Sequence, residues 1–300
     1  MQAQAKIPPR GLNYKRQLGL MLVPYLLGLL LLVVVPALLS VPIAFTEYDA
    51  LSPPQWVGFD NFGKMFADRF FWNGLWVSLF FIVVAVPLRL LGALLLAFLL
   101  HKRSRLNRAG RLVAYLPTII PDVAYALLWL YIFNPLYGPL NWILGSLGIW
   151  QGAWLLWEWP ARFAIVLMLL WPIGEGFILM LATFQDIPGE LHEAAAVDGA
   201  TGWERFRRIT LPLLAPTMLL LLFRDTALSF QTTFTPGLLT TETGPYYSTL
   251  FLPIYIWQNV SEYQNFGYAA SMSWVLYAVV IGVIALQFTV ARRWRDTVNG

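Results

Sequence analysis

The chain has 300 residues, 58% of them hydrophobic and only 12% charged, where an ordinary soluble domain carries about 25% charged residues. That balance excludes a water-exposed globular surface. The 20 Lys and Arg exceed the 16 Asp and Glu to leave a net charge of +4, and no cysteine is present, which excludes a disulfide framework and a thiolate metal site.

The apolar residues fall in runs of about 20, the length at which a helix crosses roughly 30 Å of hydrocarbon. They predict an all-α fold, a polytopic membrane helix bundle with six transmembrane helices over 18–46, 74–100, 113–134, 161–184, 213–235 and 268–291. One transmembrane domain is expected over 18–291, flanked by tails at 1–17 and 292–300, with no repeat of fixed period and no second domain. The first run continues through Pro24, Pro36 and Pro42. That is well beyond the about 7–15 apolar residues of a cleavable signal peptide, so it reads as a retained span.

Between the first two spans, Gly58-Phe59-Asp60-Asn61-Phe62-Gly63-Lys64-Met65 nearly spells a phosphate-binding loop. Met65 stands where that pattern needs a hydroxyl for Mg²⁺, and the segment lies between spans rather than between a strand and a helix. The chain is therefore expected to hydrolyse no ATP itself.

Fifteen of the 20 basic residues crowd into alternate connections. Lys6, Arg10, Lys15 and Arg16 precede the first span, and Lys102, Arg103, Arg105, Arg108 and Arg111 follow the second. Arg205, Arg207 and Arg208 follow the fourth, and Arg292, Arg293 and Arg295 the sixth. The other connections hold only Lys64, Arg69 and Arg162, so the positive-inside rule places both termini in the cytoplasm. On the opposite side Trp142, Trp150, Trp154, Trp157 and Trp159 crowd the 135–160 connection. Such rings settle at the headgroups, which predicts a short interfacial helix there. His101 and His192, at two cytoplasmic edges, read as surface residues, too few for the three or four ligands of a metal site.

Five ionisable side chains fall within spans: Arg89, Asp122, Glu175, Arg224 and Asp225. Each costs several kcal/mol unless paired or hydrated. At about 1.5 Å per residue, Asp122 and Glu175 lie roughly 13 Å from the cytoplasmic ends, and the other three roughly 16–18 Å. One layer near the midplane thus holds all five. Internal neutralisation, Arg89 with Glu175 for instance, and a polar substrate site both account for it. Phe230 and Gln231 are weaker candidates for such a site.

The fourth connection, 185–212, is built as an elbow of two short helices. Pro188 suits a first turn, Glu190 favours the positive helix end, and Gly199 suits a helix C-terminus. Thr201 and Glu204 have capping-box spacing, and Pro212 can open the fifth span. On local propensities alone this is a solvated amphipathic connector.

Its particular residues say more. Glu193-Ala194-Ala195, Gly199 four residues later, then Ile209 and Leu211-Pro212 resemble the EAA loop of permease subunits in binding-protein-dependent ABC importers. The resemblance spans nearly the whole chain and points to the sugar-importer branch, the maltose-type and glycerol-phosphate-type permeases. Phe45-Thr46-Glu47-Tyr48-Asp49, Val57 to Phe62 and Phe71-Trp72-Asn73 are similar to its first extracellular connection. Leu116-Pro117, Pro121, Trp129, Phe133-Asn134-Pro135, Gly138 and Asn141 are similar to its third span and exit. Gly244-Pro245 and Phe266-Gly267-Tyr268-Ala269-Ala270 are similar to the start of its last span, although Glu242-Thr243 stands where a glycine run is usual.

The resemblance implies that Glu193, Ala194, Ala195, Asp198, Gly199, Ile209, Leu211 and Pro212 form a coupling surface for a cytoplasmic ATPase. It also implies substrate contacts at Thr118, Asp122, Pro172, Glu175, Asp225, Ser229 and Thr232. Three of these are carboxylates, which accept strong hydrogen bonds from sugar hydroxyls and equally suit a cationic or amino-sugar substrate. The implied machine sits in the inner (cytoplasmic) membrane as a multi-pass subunit. A second homologous permease, two ABC ATPase subunits and an extracytoplasmic binding protein complete it, with no nucleic acid. ATP and Mg would be bound by the partner ATPase, leaving no cofactor in this chain.

Two other classes remain open on the residues alone. A proton-coupled secondary transporter would use the buried charges but leaves the 185–212 elbow unexplained. A membrane enzyme would need a catalytic motif, and neither H-E-x-x-H, G-x-S-x-G nor a Cys nucleophile is present.

Overall fold

The computed structural model describes residues 13–102, 104–149 and 151–299. Lys6, Arg10, Arg103 and Trp150, and the side chains of Lys15, Arg293 and Arg295, lie outside the described residues.

Helix α1 (Asn13–Leu29) runs through a π-helical turn at Leu30–Val34 into α2 (Val35–Ile43). Pro36 has no N–H for the carbonyl of Leu32, and the wider π turn absorbs the missing bond. The chain leaves this span at Ile43, and Thr46–Glu47 (β1) pairs antiparallel with Gln55–Trp56 (β2) in a two-residue hairpin. At its tip the Ser52 amide, 2.8 Å away, holds the Asp49 carboxylate down to about 2. Helix α3 (Asp60–Ala67) follows. The phosphate-loop lookalike therefore does lie between a short strand and a helix, contrary to expectation, but its polar groups are spent internally. The Asn61 amide donates to the carbonyls of Ala44 and Thr46 at 3.0 and 2.8 Å, and Lys64 pairs with Asp60 at 2.9 Å.

Helix α4 (Arg69–Leu100) is apolar on all sides and reaches into three hydrophobic clusters. It contributes Phe81 beside Met168 and Phe251, Phe71 beside Met65 and Met272, and Ala93 and Ala97 beside Phe177 and Leu214. Helix α5 (Arg105–Tyr115), capped by Ser104, passes through a 3₁₀ turn at Leu116–Ile119 to α6 (Asp122–Ile132), bent by 103°. Pro117 and Pro121 force this bend: Ile120, just before Pro121, is extended at φ −71, ψ 127. Next come α7 (Pro139–Ser146), the expected short helix in the tryptophan-rich connection, and α8 (Glu158–Leu170). Pro172 then interrupts the helix, and α9 (Gly174–Gln185) continues at 47°.

Helix α10 (Gly189–Val197) turns at Gly199 into α11 (Gly202–Arg205), which passes through a π-helical turn at Phe206–Thr210 into α12 (Leu211–Thr232) and α13 (Phe234–Thr240). Helices α14 (Leu252–Ser261) and α15 (Phe266–Asn299) complete the described chain.

The all-α membrane bundle is as expected, but two of its spans are not continuous. Among the described residues, four helices are long and apolar enough to cross a bilayer, at Arg16–Ile43, Arg69–Leu100, Gly202–Thr240 and Phe266–Arg292. The runs read as 113–134 and 161–184 are instead bent pairs, and the number of spans reaches six only if each pair counts as one. The fifth run is also longer than read, because Pro212 is carried inside a helix that starts at Gly202. Hydropathy averages over a proline and so passes across these breaks.

Asp68 ties three helices together at one end. It caps α4 by accepting from the Phe70 amide at 2.8 Å, and its other oxygen accepts from the hydroxyls of Tyr255 and Tyr268, both at 2.6 Å. Asp68→Ala leaves two phenols without an acceptor and a helix without its cap, so thermal or denaturant unfolding in detergent should show a loss of roughly 2–5 kcal/mol. Asp60→Ala removes only an exposed ion pair and should shift the same measurement by less than about 1 kcal/mol.

Candidate functional site

The two proline breaks meet. At Gly174, the first residue of α9, an added Cβ would stand 2.4 Å from Thr118 Oγ1 and 2.9 Å from Tyr115 Cα, so the two bent pairs approach as closely as they do because this position is glycine. Non-helical backbone within a bilayer is tolerated where it lines a cavity. A cavity of about 340 Å³ lies at the junction.

Five of the seven expected contact residues line it, namely Thr118, Asp122, Pro172, Glu175 and Thr232. Asp225 and Ser229 do not. They are buried, 6% and 7% exposed, with the Ser229 hydroxyl donating to the Asp225 carbonyl at 2.5 Å. Arg89 and Arg224, which the sequence marked only as charges needing partners, line the cavity instead. Phe230 is buried in packing and Gln231 is exposed away from this wall.

The charges form a chain rather than the Arg89–Glu175 pair given as an example of neutralisation. Arg224 binds Glu175 and lies 3.6 Å from Asp225, while Arg89 lies 3.7 Å from the other oxygen of Asp225. Arg89 also donates to the Pro172 carbonyl at 3.3 Å, at the break in the helix. Depth along a span is legible in sequence; the direction a side chain takes around the helix axis is set by packing.

Both cavity carboxylates gain from the breaks. Asp122 is the first residue of α6, and Glu175 lies in the first turn of α9, where the positive end of a helix dipole favours negative charge. Asp122 is exposed to the cavity and makes no ion pair or side-chain hydrogen bond among the described residues. Close by, the Thr118 hydroxyl is buried without a hydrogen-bond partner. The cavity thus offers an unengaged carboxylate beside an ion chain.

At the far end of α9 the elbow is rigidly built. Gly199 takes φ +82, and the Ala200 and Gly199 amides donate to the carbonyls of Ala195 and Ala196 at 2.9 and 3.1 Å, closing α10 in a Schellman motif. The Thr201 and Glu204 capping box is complete, with bonds of 3.3 and 2.8 Å. Glu193, Ala194, Asp198 and Gly199 are exposed on this elbow, whereas Ala195, Ile209, Leu211 and Pro212 are half-buried and pack it. The second helix is not separate, as noted for the fifth span. Val197, 88% exposed beside Gly199, is an apolar residue of this face that the sequence reading did not single out.

Elsewhere, Glu242 adopts φ +53 at the position where a glycine run was expected. His101 and His192 are half-buried and share one cavity.

These features were compared with known proteins. Residues 89–296 match the family described as binding-protein-dependent transport system inner membrane component. The probable ABC transporter permease protein YesP of Bacillus subtilis is 37% identical over 88% of this chain and 86% of its own length. The sulfoquinovosyl glycerol transport system permease protein SmoG of Agrobacterium fabrum is 33% identical over 91% of this chain and 89% of its own. In fold the chain is similar to a crystal structure of a bacterial ABC transporter involved in the import of the acidic polysaccharide alginate, with a TM-score of 0.80 at 24% identity over 94% of this chain and 96% of that one. The chain therefore belongs to the family of binding-protein-dependent transport system inner membrane components, and is a multi-pass permease subunit of an ABC importer.

Proposed function

We propose that the chain forms half of a translocation pathway for a sugar or sugar-derived solute, and that the cavity at the two proline breaks is where the solute passes. The observation that carries this is the Asp122 carboxylate, exposed on the wall of a cavity of about 340 Å³ and unengaged among the described residues. A carboxylate accepts strongly from sugar hydroxyls, and broken spans mark binding sites in many membrane transporters. Thr118, Asp122, Pro172, Glu175 and Thr232 are the contact residues in this reading, while Asp225 and Ser229 support the wall. The name of one relative, a sulfoquinovosyl glycerol permease, supports a sugar-derived solute.

Arg224 favours a second reading within the same machinery. It faces the cavity as the partner of Glu175, and an acidic saccharide could exchange places with that carboxylate.

Both termini and the α10 elbow lie in the cytoplasm in this proposal, following the positive-inside rule. A second homologous permease supplies the other half of the pathway. Two ATPase subunits, which bind ATP and Mg, receive α10 through its exposed Glu193 to Gly199 face. A binding protein delivers the solute from outside.

Asp122→Asn should raise the KM for uptake at least about tenfold, the worth of one charge-assisted hydrogen bond, with unchanged thermal stability in detergent. Asp225→Asn should behave differently, because Arg89 loses its buried partner: a stability loss of roughly 3–5 kcal/mol with low yield of inserted protein. Equal effects of the two on uptake alone would remove the distinction drawn here. Gly199→Val places a β-branched residue at φ +82, where it is strained. Proteoliposomes of the assembled transporter should then hydrolyse ATP without substrate-stimulated transport, while the subunit still inserts.

A further inference from the structure

One feature of the α10 end lies apart from the cavity at the proline breaks. A cavity of about 690 Å³ opens between the end of α4, the end of α9 and the elbow, and His101, Lys102, His192 and Arg205 are its ionisable wall. No Asp or Glu among the described residues lines it. Lys102 and Arg205 form no ion pair among the described residues, and Arg205 Nε is buried without a hydrogen-bond partner. Its Nη1 reaches only the His192 carbonyl, at 3.5 Å. With five N–H donors and this one hydrogen bond, the Arg205 guanidinium keeps donors to spare for an anion.

A second groove adjoins this cavity and is almost wholly apolar. The two share Phe98, Gly202 and Phe206 as a common wall. From there the groove follows α4 through Leu95 and Leu94 to Leu91. The seven residue steps of helix from Phe98 to Leu91 span about 10 Å, so the groove runs from the basic end of the bundle toward the membrane interior. Trp203, 67% exposed and stacked on Phe206 at 5.7 Å, stands on the groove's flank near its mouth. Tryptophan prefers this depth, at the headgroups.

A basic recess at the membrane edge, continuous with an apolar channel running inward, has the shape and polarity of one phospholipid molecule. We infer that this pair of cavities is a binding site for an anionic phospholipid, with the headgroup phosphate on Arg205 and Lys102 and one acyl chain along Leu91, Leu94 and Leu95. Basic pockets on the cytoplasmic side of membrane proteins take such headgroups, and the side assigned here rests on the positive-inside orientation. Because the lipid would touch α4 and the elbow at once, it would brace the coupling segment against the bundle.

The full-length subunit, purified in a mild detergent, can be offered phosphatidylglycerol and phosphatidylcholine with identical acyl chains, and the lipids retained on it counted by native mass spectrometry. This readout does not depend on transport or on sidedness. The wild type should retain phosphatidylglycerol in preference to phosphatidylcholine, and the double variant Lys102→Gln, Arg205→Gln should weaken that retention at least about tenfold. Arg205→Lys keeps the charge and should keep the preference, which separates loss of the site from misfolding. Filling the groove with Leu94→Trp should weaken retention of both lipids. Equal retention of the two lipids by the wild type would overturn the inference. So would undiminished phosphatidylglycerol on the double variant, or displacement by glycerol phosphate alone, which would mark an anion site with no role for the groove.

Discussion

Everything in the middle of this bundle answers to the cost of charge away from water. Arg89, Arg224, Glu175 and Asp225 persist there because they neutralise one another along a single chain of contacts, and because one carboxylate stands at the start of a half-helix. The prolines that break α5–α6 and α8–α9 create those half-helix ends. They also release backbone carbonyls, one of which Arg89 takes up. Break, charge and cavity are thus one structural solution.

Helix α4 gives this arrangement its frame. It carries Arg89, reaches all three hydrophobic clusters, and is held at its start by Asp68 and the phenols of Tyr255 and Tyr268. Near the same end, Asn61 stitches the first span's exit to α3. Thr46 and Asn61, which carry the family resemblance in the first connection, therefore do structural work by joining the first span's exit to α3. At the opposite end of α4 the elbow is closed by backbone and capping bonds rather than by packing against a large core, so α10 is held as a short stiff lever with its apolar Val197 outward.

The family relationship and the geometry bear on different questions. Matching over residues 89–296 establishes what kind of subunit this is. The cavity wall, with two arginines among its carboxylates, bears on what passes through it, and the basic recess beside an apolar groove on how the membrane itself engages the subunit.

Much of this was legible in the residues alone. Apolar runs announce membrane helices because hydrocarbon thickness sets their length, and the Gly199 turn and Thr201–Glu204 cap are local signals that the structure reproduces bond for bond. Depth along the spans placed five charges in one layer. Only tertiary structure decided their partners, since azimuth around a helix depends on neighbours: it buried Asp225 and Ser229 and brought Arg89 and Arg224 to the cavity wall. The bends at Pro117, Pro121 and Pro172 follow from proline's missing N–H and fixed φ, yet whether such a residue bends a span or, like Pro36 and Pro212, is absorbed by a π turn is settled by what packs against it. The recess shared by His101, Lys102, His192 and Arg205 joins residues from separate connections, and such a site exists only once the chain has folded.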